Sequence, residues 1–241
     1  MTPSGTVAEV EARLRRHAKP ERAAGEKRYL KSDLEFIGVG VPNLRREIRL
    51  WSKEHPELDR VRLLRLCRAL WQRPVHELRV FAIELLRAHQ GCLESTDFAF
   101  LEWLLSDAET WAYVDAIAVH LAGPLVESCP DLASELDRWA AAENFWLRRS
   151  AMLALLLPLR RGAGDWRRFE RYADEMLDEK EFFIRKAIGW VLREVSKKEP
   201  KRVAEFVGLR VERISGVTFR EAVKYLPEED RERLISAYRS R

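Results

Sequence analysis

The chain is poor in the residues that build disulfide-braced or metal-braced folds. Its 241 residues include three cysteines, Cys67, Cys92 and Cys129, far apart and without a CxxC pair. That spacing argues against a disulfide framework or a structural zinc site and leaves reduced thiols as the expectation. Five histidines, His17, His55, His76, His89 and His120, fall at no metal-ligand spacing, so neither a metal nor another cofactor is expected. No apolar run is long enough to cross a bilayer; the longest, residues 151–159, contains Pro158. The opening Met1-Thr2-Pro3-Ser4-Gly5-Thr6 lacks the basic and apolar regions of a signal peptide. A cytoplasmic protein without a membrane partner is the expectation. Glycine-rich phosphate cradles are missing as well: Gly38-Val39-Gly40-Val41-Pro42 lacks the full spacing and reads as a turn before a helix. Nothing points to a serine or cysteine hydrolase.

Charge, by contrast, is plentiful. Charged residues make up 34% of the chain and hydrophobic residues 46%, yet the formal net charge is only +4. So mild an excess does not by itself mark a nucleic-acid binder, and the placement of the charges has to decide. Apolar residues recur at helical spacing nearly throughout, and no sustained period-two run of β-branched residues interrupts them. Pro42, Pro56, Pro74, Pro130, Pro158, Pro200 and Pro227 stand at or near the expected helix boundaries. The fold class is all-α.

Helical segments laid over one another reveal a repeat. Asn144-Phe145-Trp146-Leu147-Arg148-Arg149-Ser150-Ala151 matches Glu181-Phe182-Phe183-Ile184-Arg185-Lys186-Ala187-Ile188, and Val217-Thr218-Phe219-Arg220-Glu221-Ala222-Val223 fits the same template. Asn43-Leu44-Arg45-Arg46-Glu47-Ile48 and Glu77-Leu78-Arg79-Val80-Phe81-Ala82 fit it more loosely. One column then holds Arg45, Arg79, Tyr113, Arg148, Arg185 and Arg220, at successive separations of 34 to 37 residues. That period, carried by paired amphipathic helices, predicts a HEAT-like α-solenoid, with residues 1–241 forming a single domain of about six repeats. Equivalent residues of successive repeats line one surface, usually the concave one, so the column predicts a basic groove, broadened by Arg46, Arg149 and Lys186. Guanidinium groups at that spacing suit the phosphodiester backbone. They also suit salt bridges to carboxylates of neighbouring repeats, and the column alone does not choose between the two.

Two constellations carry potential chemistry. Across residues 183–198, Ile184, Ile188, Val191 and Val195 form a core stripe, while Lys186, Trp190, Arg193 and Lys197 share another face. Trp190 among cations is either a platform beside a nucleic-acid backbone or a ring packed under a neighbouring helix. In Thr110-Trp111-Ala112-Tyr113-Val114-Asp115, Trp111 and Asp115 lie four residues apart, on one helix face. Asp115 replaces the small or apolar residues of other repeats, Phe81, Ser150, Ala187 and Ala222. A carboxylate there either meets a buried cation or acts on a ligand.

Those residues, in that order, resemble the AlkD-like DNA alkylation repair glycosylases. Phe182-Phe183-Ile184-Arg185-Lys186-Ala187-Ile188-Gly189-Trp190-Val191-Leu192-Arg193-Glu194 is similar to the most distinctive segment of that family, and Asn144 to Arg149 to the repeat before it. Arg28-Tyr29-Leu30-Lys31, then Phe36-Ile37-Gly38-Val39 and Pro42, resemble its N-terminal region, and Thr110 to Asp115 its Trp…Asp segment. The resemblance spans residues 21–225. It implies HEAT-like repeats wrapping double-stranded DNA and removal of cationic lesions such as N3-methyladenine and N7-methylguanine, without base extrusion. It further implies Asp115 as catalytic carboxylate, Trp111 and Trp190 as aromatic walls, and Tyr29 as a further lesion-side aromatic. Arg149 becomes a backbone contact, with Lys186, Arg193 and Lys197 binding DNA nearby and the column residues Arg45 and Arg148 beside them. The family pattern carries a second tryptophan where this chain has Thr110 or Ala112, and a hydroxyl residue where it has Val41. A nucleoid-associated monomer is expected. The alternative is a non-catalytic scaffold that binds DNA or a protein partner through the same face.

Overall fold

The computed structural model describes residues 3–241. Its contacts divide the chain into two compact units, one ending at Ile117 and the other running from Ala118 to Arg241. The first holds α1 (Pro3–Arg15), α2 (Pro20–Leu30), α3 (Val41–Glu54), α4 (Arg60–Trp71), α5 (His76–Ala88), α6 (Phe98–Ser106) and α7 (Trp111–Ile117). The second begins with a π-helical turn, Ala118–Ala122, and continues with α8 (Gly123–Ser128), α9 (Ala133–Ala140), α10 (Phe145–Ala154) and α11 (Leu156–Arg160). It ends with α12 (Trp166–Glu175), α13 (Phe182–Ser196), α14 (Pro200–Gly208), α15 (Gly216–Ala222) and α16 (Glu228–Arg239). Among the described residues the sole extended pairing is an isolated bridge between Glu35 and Val75. The all-α, HEAT-like reading of the sequence is the architecture found.

Local chemistry sets the helix starts. Pro20, Pro42 and Pro200 sit in first turns, where a missing N–H costs nothing. Asp59, Asn144, Asp165, Glu181 and Ser215 accept backbone N–H groups at the starts of α4, α10, α12, α13 and α15. Packing then follows the repeat. In the first unit α4 pairs with α5; in the second, α10 packs on α9 and α13, and α13 on α15. Ile184, Ile188, Val191 and Val195 are fully buried, as the α13 stripe predicts; each contributes about 1.5–3 kcal/mol of burial.

The polar contacts carry the same period. Arg60–Asp97, Trp71–Asp107 and His76–Tyr113 in the first unit span 36 or 37 residues. In the second, Tyr172–Asp137, Lys186–Glu221, Arg210–Asp174 and Arg213–Asp178 span 35 or 36. Side chains one period apart meet across neighbouring repeats.

Candidate nucleic-acid interface

Helix α7 starts at Trp111, just after Thr110, which is buried and whose Oγ1 accepts the N–H of Ala112 at 3.4 Å. Thr110, which with Ala112 is one of the two positions where the family pattern can carry a second tryptophan, thus serves as a helix-start residue. Trp111 and Asp115 lie on one face of α7 and both are half-buried. The helix gives way two residues after Asp115 to the π-helical turn, a widened geometry found frequently at functional sites.

The opposite side of α7 is anchored by Tyr113. Its hydroxyl meets His76 Nδ1 at 2.7 Å, and its ring packs edge-on to Trp71 with centroids 5.3 Å apart. Phe36 stacks on His76 at 4.4 Å. Burial lowers the pKa of His76 to about 4, so the imidazole is neutral at physiological pH, and burial pushes the Tyr113 phenol up. Arg79, the column residue of α5, is buried too. It pairs with Asp107 at 3.4 Å and lies over Trp71, and its Nε and Nη1 have no hydrogen-bond partner among the described residues.

Tyr29 is 72% exposed, and its ring meets Trp111 edge-on with centroids 6.0 Å apart. Its helix, α2, buries none of its residues. What seats α2 is the loop ahead of α3. Gly38 there adopts φ +83°, and a Cβ on it would lie 2.2 Å from the Lys19 carbonyl oxygen and 2.8 Å from the Ala23 nitrogen. Glycine alone permits both the conformation and the approach. The buried carboxylate of Glu77 accepts the N–H groups of Ile37, Gly38 and Val39 at 2.9, 2.6 and 3.1 Å. Consecutive residues of the first turn of α5 therefore hold two presenting elements: His76 holds α7, and Glu77 holds the seat of α2.

Six of the remaining cations are bonded inside the protein. Arg45, exposed on α3, donates to Glu84 at 3.2 Å. In the second unit Arg148 donates to Glu179 and to the carbonyls of Ala142 and Glu143. Arg149 is 3% exposed, donates to the Phe183 carbonyl and lies over the Phe183 ring. On α13, Lys186 and Arg193 both donate to Glu221, and Lys197 donates to both oxygens of Glu194. Lys197 also lies 5.1 Å from the exposed ring of Tyr225. Trp190, on the same helix, is half-buried. For Glu221, burial favours protonation, but the Lys186 hydrogen bond and the charge of Arg193 outweigh it and hold the carboxyl below the usual range.

The structure thus brings Trp111, Asp115 and Tyr29 together in the first unit and, in the second, Lys186, Trp190 and Arg193 onto α13 with Lys197 at its C-terminal cap. Sequence reasoning missed Glu77, His76 and Glu221. For His76 and Glu221 the signal was the period itself, since Tyr113 lies 37 residues after His76 and Glu221 lies 35 after Lys186; Glu77 carried none. Among the described residues no three His, Cys, Asp or Glu side chains are arranged to hold a metal ion, and no helix is long and apolar enough to cross a membrane.

Comparison with known proteins points to one family. A family model for "DNA alkylation repair enzyme" matches residues 10–226. A solved structure described as a predicted DNA alkylation repair enzyme from Enterococcus faecalis is 27% identical, covers 88% of this chain and 98% of its own, and superposes with a TM-score of 0.78. AlkD2 from Streptococcus mutans shares the fold at 15% identity, with 93% and 99% of the two chains covered and a TM-score of 0.62. The protein smu.31 from Streptococcus mutans UA159 does so at 17% identity, with 76% and 93% covered and a TM-score of 0.57. No curated protein matches the chain.

Proposed function

The chain belongs to the DNA alkylation repair enzyme family, and from that premise we propose that it is a DNA glycosylase. Its substrates are positively charged alkylated purines, N3-methyladenine and N7-methylguanine, in duplex DNA. Alkylation places a positive charge on the base, so the base departs as a neutral molecule with the electrons of the glycosidic bond and needs no general acid. Water adds to C1′ of the oxocarbenium sugar and loses a proton. The task left to the protein is electrostatic, and Asp115 performs it: one carboxylate beside the sugar stabilises the developing positive charge. Its half-buried setting strengthens that interaction relative to open water.

The observation that carries this reading is the placement of Trp111 and Asp115 on one face of α7, with Tyr29 against the indole. Indole and phenol faces attract the cationic base and sugar, each by about 0.5–2 kcal/mol. Trp190 serves the reaction as a second indole face. Arg45, Arg148, Lys186, Arg193 and Lys197 meet the phosphates, while Arg149 contributes its charge from the interior. The aromatic face of α7, with Tyr29 against Trp111, suits attack without base extrusion. The protein works as a monomer on DNA in the nucleoid.

Chromatography of bases released from methylated duplex DNA tests the assignment. Free 7-methylguanine is expected from the wild type, with release at least about 100-fold slower in Asp115→Asn. Salt-sensitive DNA binding without release of any base above background rejects the glycosylase and leaves a non-catalytic scaffold.

A further inference from the structure

On α13 and at its C-terminal cap, three cations that read in the sequence as a DNA-facing stripe are already occupied. Lys186 Nζ lies 2.7 Å from Glu221 Oε1, and Arg193 Nη1 bonds the other oxygen of the same carboxylate. The two cations sit seven residues apart, two helical turns, and a single carboxylate from α15 reaches both. Gly189 makes this possible. A Cβ at that position would lie 2.8 Å from Glu221 Cβ and 3.2 Å from Thr218 Cα and its carbonyl oxygen. The absence of a side chain opens a slot between Lys186 and Arg193 into which the base of Glu221 fits, one residue from Trp190. Lys186 keeps 43% of its side chain exposed, whereas Glu221 keeps 18%. The cation remains within reach of solvent while its carboxylate partner sits beneath it.

A carboxylate bridging two cations presents to them what a DNA phosphate would: two oxygens sharing one negative charge. We propose that Glu221 is an internal stand-in for a phosphate, competing with DNA for Lys186 and Arg193 and thereby limiting how tightly the protein holds undamaged duplex. The proposal rests on the reading that α13 faces DNA, though not on the glycosylase chemistry. Arg193 also lies 3.6 Å from Glu194, so with Glu221 in place the pair presents at most a net single positive charge. A DNA phosphate must displace or share the carboxylate, so each encounter is weakened and sliding to another site is favoured. Electrostatic, sequence-independent contacts supply essentially all non-specific affinity, so a residue that taxes them acts mainly on the search over undamaged DNA.

Fluorescence anisotropy with an undamaged 20-base-pair duplex, titrated across a range of salt concentrations, tests this with the full chain. Glu221→Gln keeps the volume and an acceptor but removes the charge. It is expected to bind at least about threefold more tightly at low salt, and the slope of log K against log salt is expected to steepen by about 1–2, since each phosphate neutralised adds about 0.9. In a Lys186→Ala background the gain from Glu221→Gln shrinks. Equal or weaker binding by Glu221→Gln, with thermal unfolding unchanged, overturns the proposal and makes Glu221 a strut that aims the two cations. If Glu221→Gln unfolds at lower temperature, Glu221→Asp decides. Its shorter reach releases one cation while the charge stays, and tighter binding sustains the competition whereas unchanged or weaker binding refutes it. Should neither wild type nor variant bind undamaged duplex, the proposal falls. Should Glu221→Gln bind more tightly while no protein releases alkylated base, the competition stands and the glycosylase reading alone fails.

Discussion

Helices α2 and α13 carry the same kinds of residue and hold them in opposite ways. Each presents an aromatic ring among cations, Tyr29 beside Arg28 on one and Trp190 between Lys186 and Arg193 on the other. Yet α2 buries nothing, its Tyr29 is 72% exposed, and Arg28 makes no side-chain bond among the described residues. By contrast α13 buries Ile184, Ala187, Ile188, Gly189, Val191, Leu192 and Val195 and ties its cations to Glu221 and Glu194. An amphipathic helix with a full apolar stripe is fixed by its own packing. A helix without one is fixed by whatever holds its ends, and for α2 that is the loop bonded to Glu77. The lesson is that the exposure of Tyr29 depends on a support residue elsewhere, whereas α13 supports itself.

The sharpest way to break that contrast is to remove the support. Glu77→Ala leaves three backbone N–H groups without their acceptor in the interior. With roughly 1–3 kcal/mol lost per unsatisfied buried donor, a destabilisation of at least ~3 kcal/mol is expected in urea unfolding. Hydrogen exchange should show α2 amides losing protection in this variant while those of α13 are unaffected. Equal loss in both helices contradicts the division of labour.

Lowering the pH probes the neighbouring anchor. His76 is held neutral, with its pKa moved from 6.5 to about 4 by burial. The unfolded chain therefore takes up its proton first, so stability is full above about pH 6.5 and falls as the pH drops toward 4. The shift corresponds to about 3 kcal/mol over that window. Glu221 behaves differently: its carboxyl is held below the ordinary 4.5, so its contribution survives above that value and is lost as the pH falls beneath it. Urea unfolding at pH 7, 5.5 and 4.5 should show the decline in the wild type and a flatter profile in His76→Gln. A decline of the same steepness in His76→Gln rules out His76 as its source.

On the α13 side the corresponding break is smaller. Gly189→Ala forces a methyl group against Glu221 and the α15 backbone. Overpacking of this kind costs about 1–3 kcal/mol. Thermal unfolding measures the cost, and a stability equal to wild type would mean that α15 yields without penalty.

How much of this was readable beforehand differs between the two helices. The α13 stripe was legible because a core face needs only periodicity, and Ile184, Ile188, Val191 and Val195 supplied it. The column of Arg45, Arg148 and its neighbours was legible as a column, but not its pairing, because Glu84 and Glu179 lie 39 and 31 residues away and only the fold brings them close. Asp115 stood out as a carboxylate in an apolar column. Glu77 did not, since a glutamate in the first turn of a helix is ordinary, and its three bonds depend on a loop some forty residues earlier. Gly38-Val39-Gly40 lies in the loop ahead of α3, while Val41 and Pro42, read with it as a turn, already belong to the helix; the conformation of Gly38 and its fit against Lys19 are tertiary facts. Val41, where the family pattern has a hydroxyl, is 48% exposed in the first turn of α3 and offers no side-chain hydrogen bond there.

The smallest effect on stability separates holding from acting. Tyr29 touches solvent over most of its surface, so Tyr29→Ala is expected to change the unfolding free energy by less than about 0.5 kcal/mol. If its ring meets the cationic base or sugar, losing about 0.5–2 kcal/mol of attraction slows base release roughly 2- to 30-fold. Tyr29→Phe keeps the ring and removes only the hydroxyl, and it should retain most of the rate. Trp190→Ala offers the counterpart on α13, where a half-buried indole contributes to packing, so stability and rate fall together. Loss of stability in Tyr29→Ala comparable to that in Trp190→Ala would show that α2 is held by its own side chains after all. The contrast between a self-supporting helix and one seated from below would then be lost.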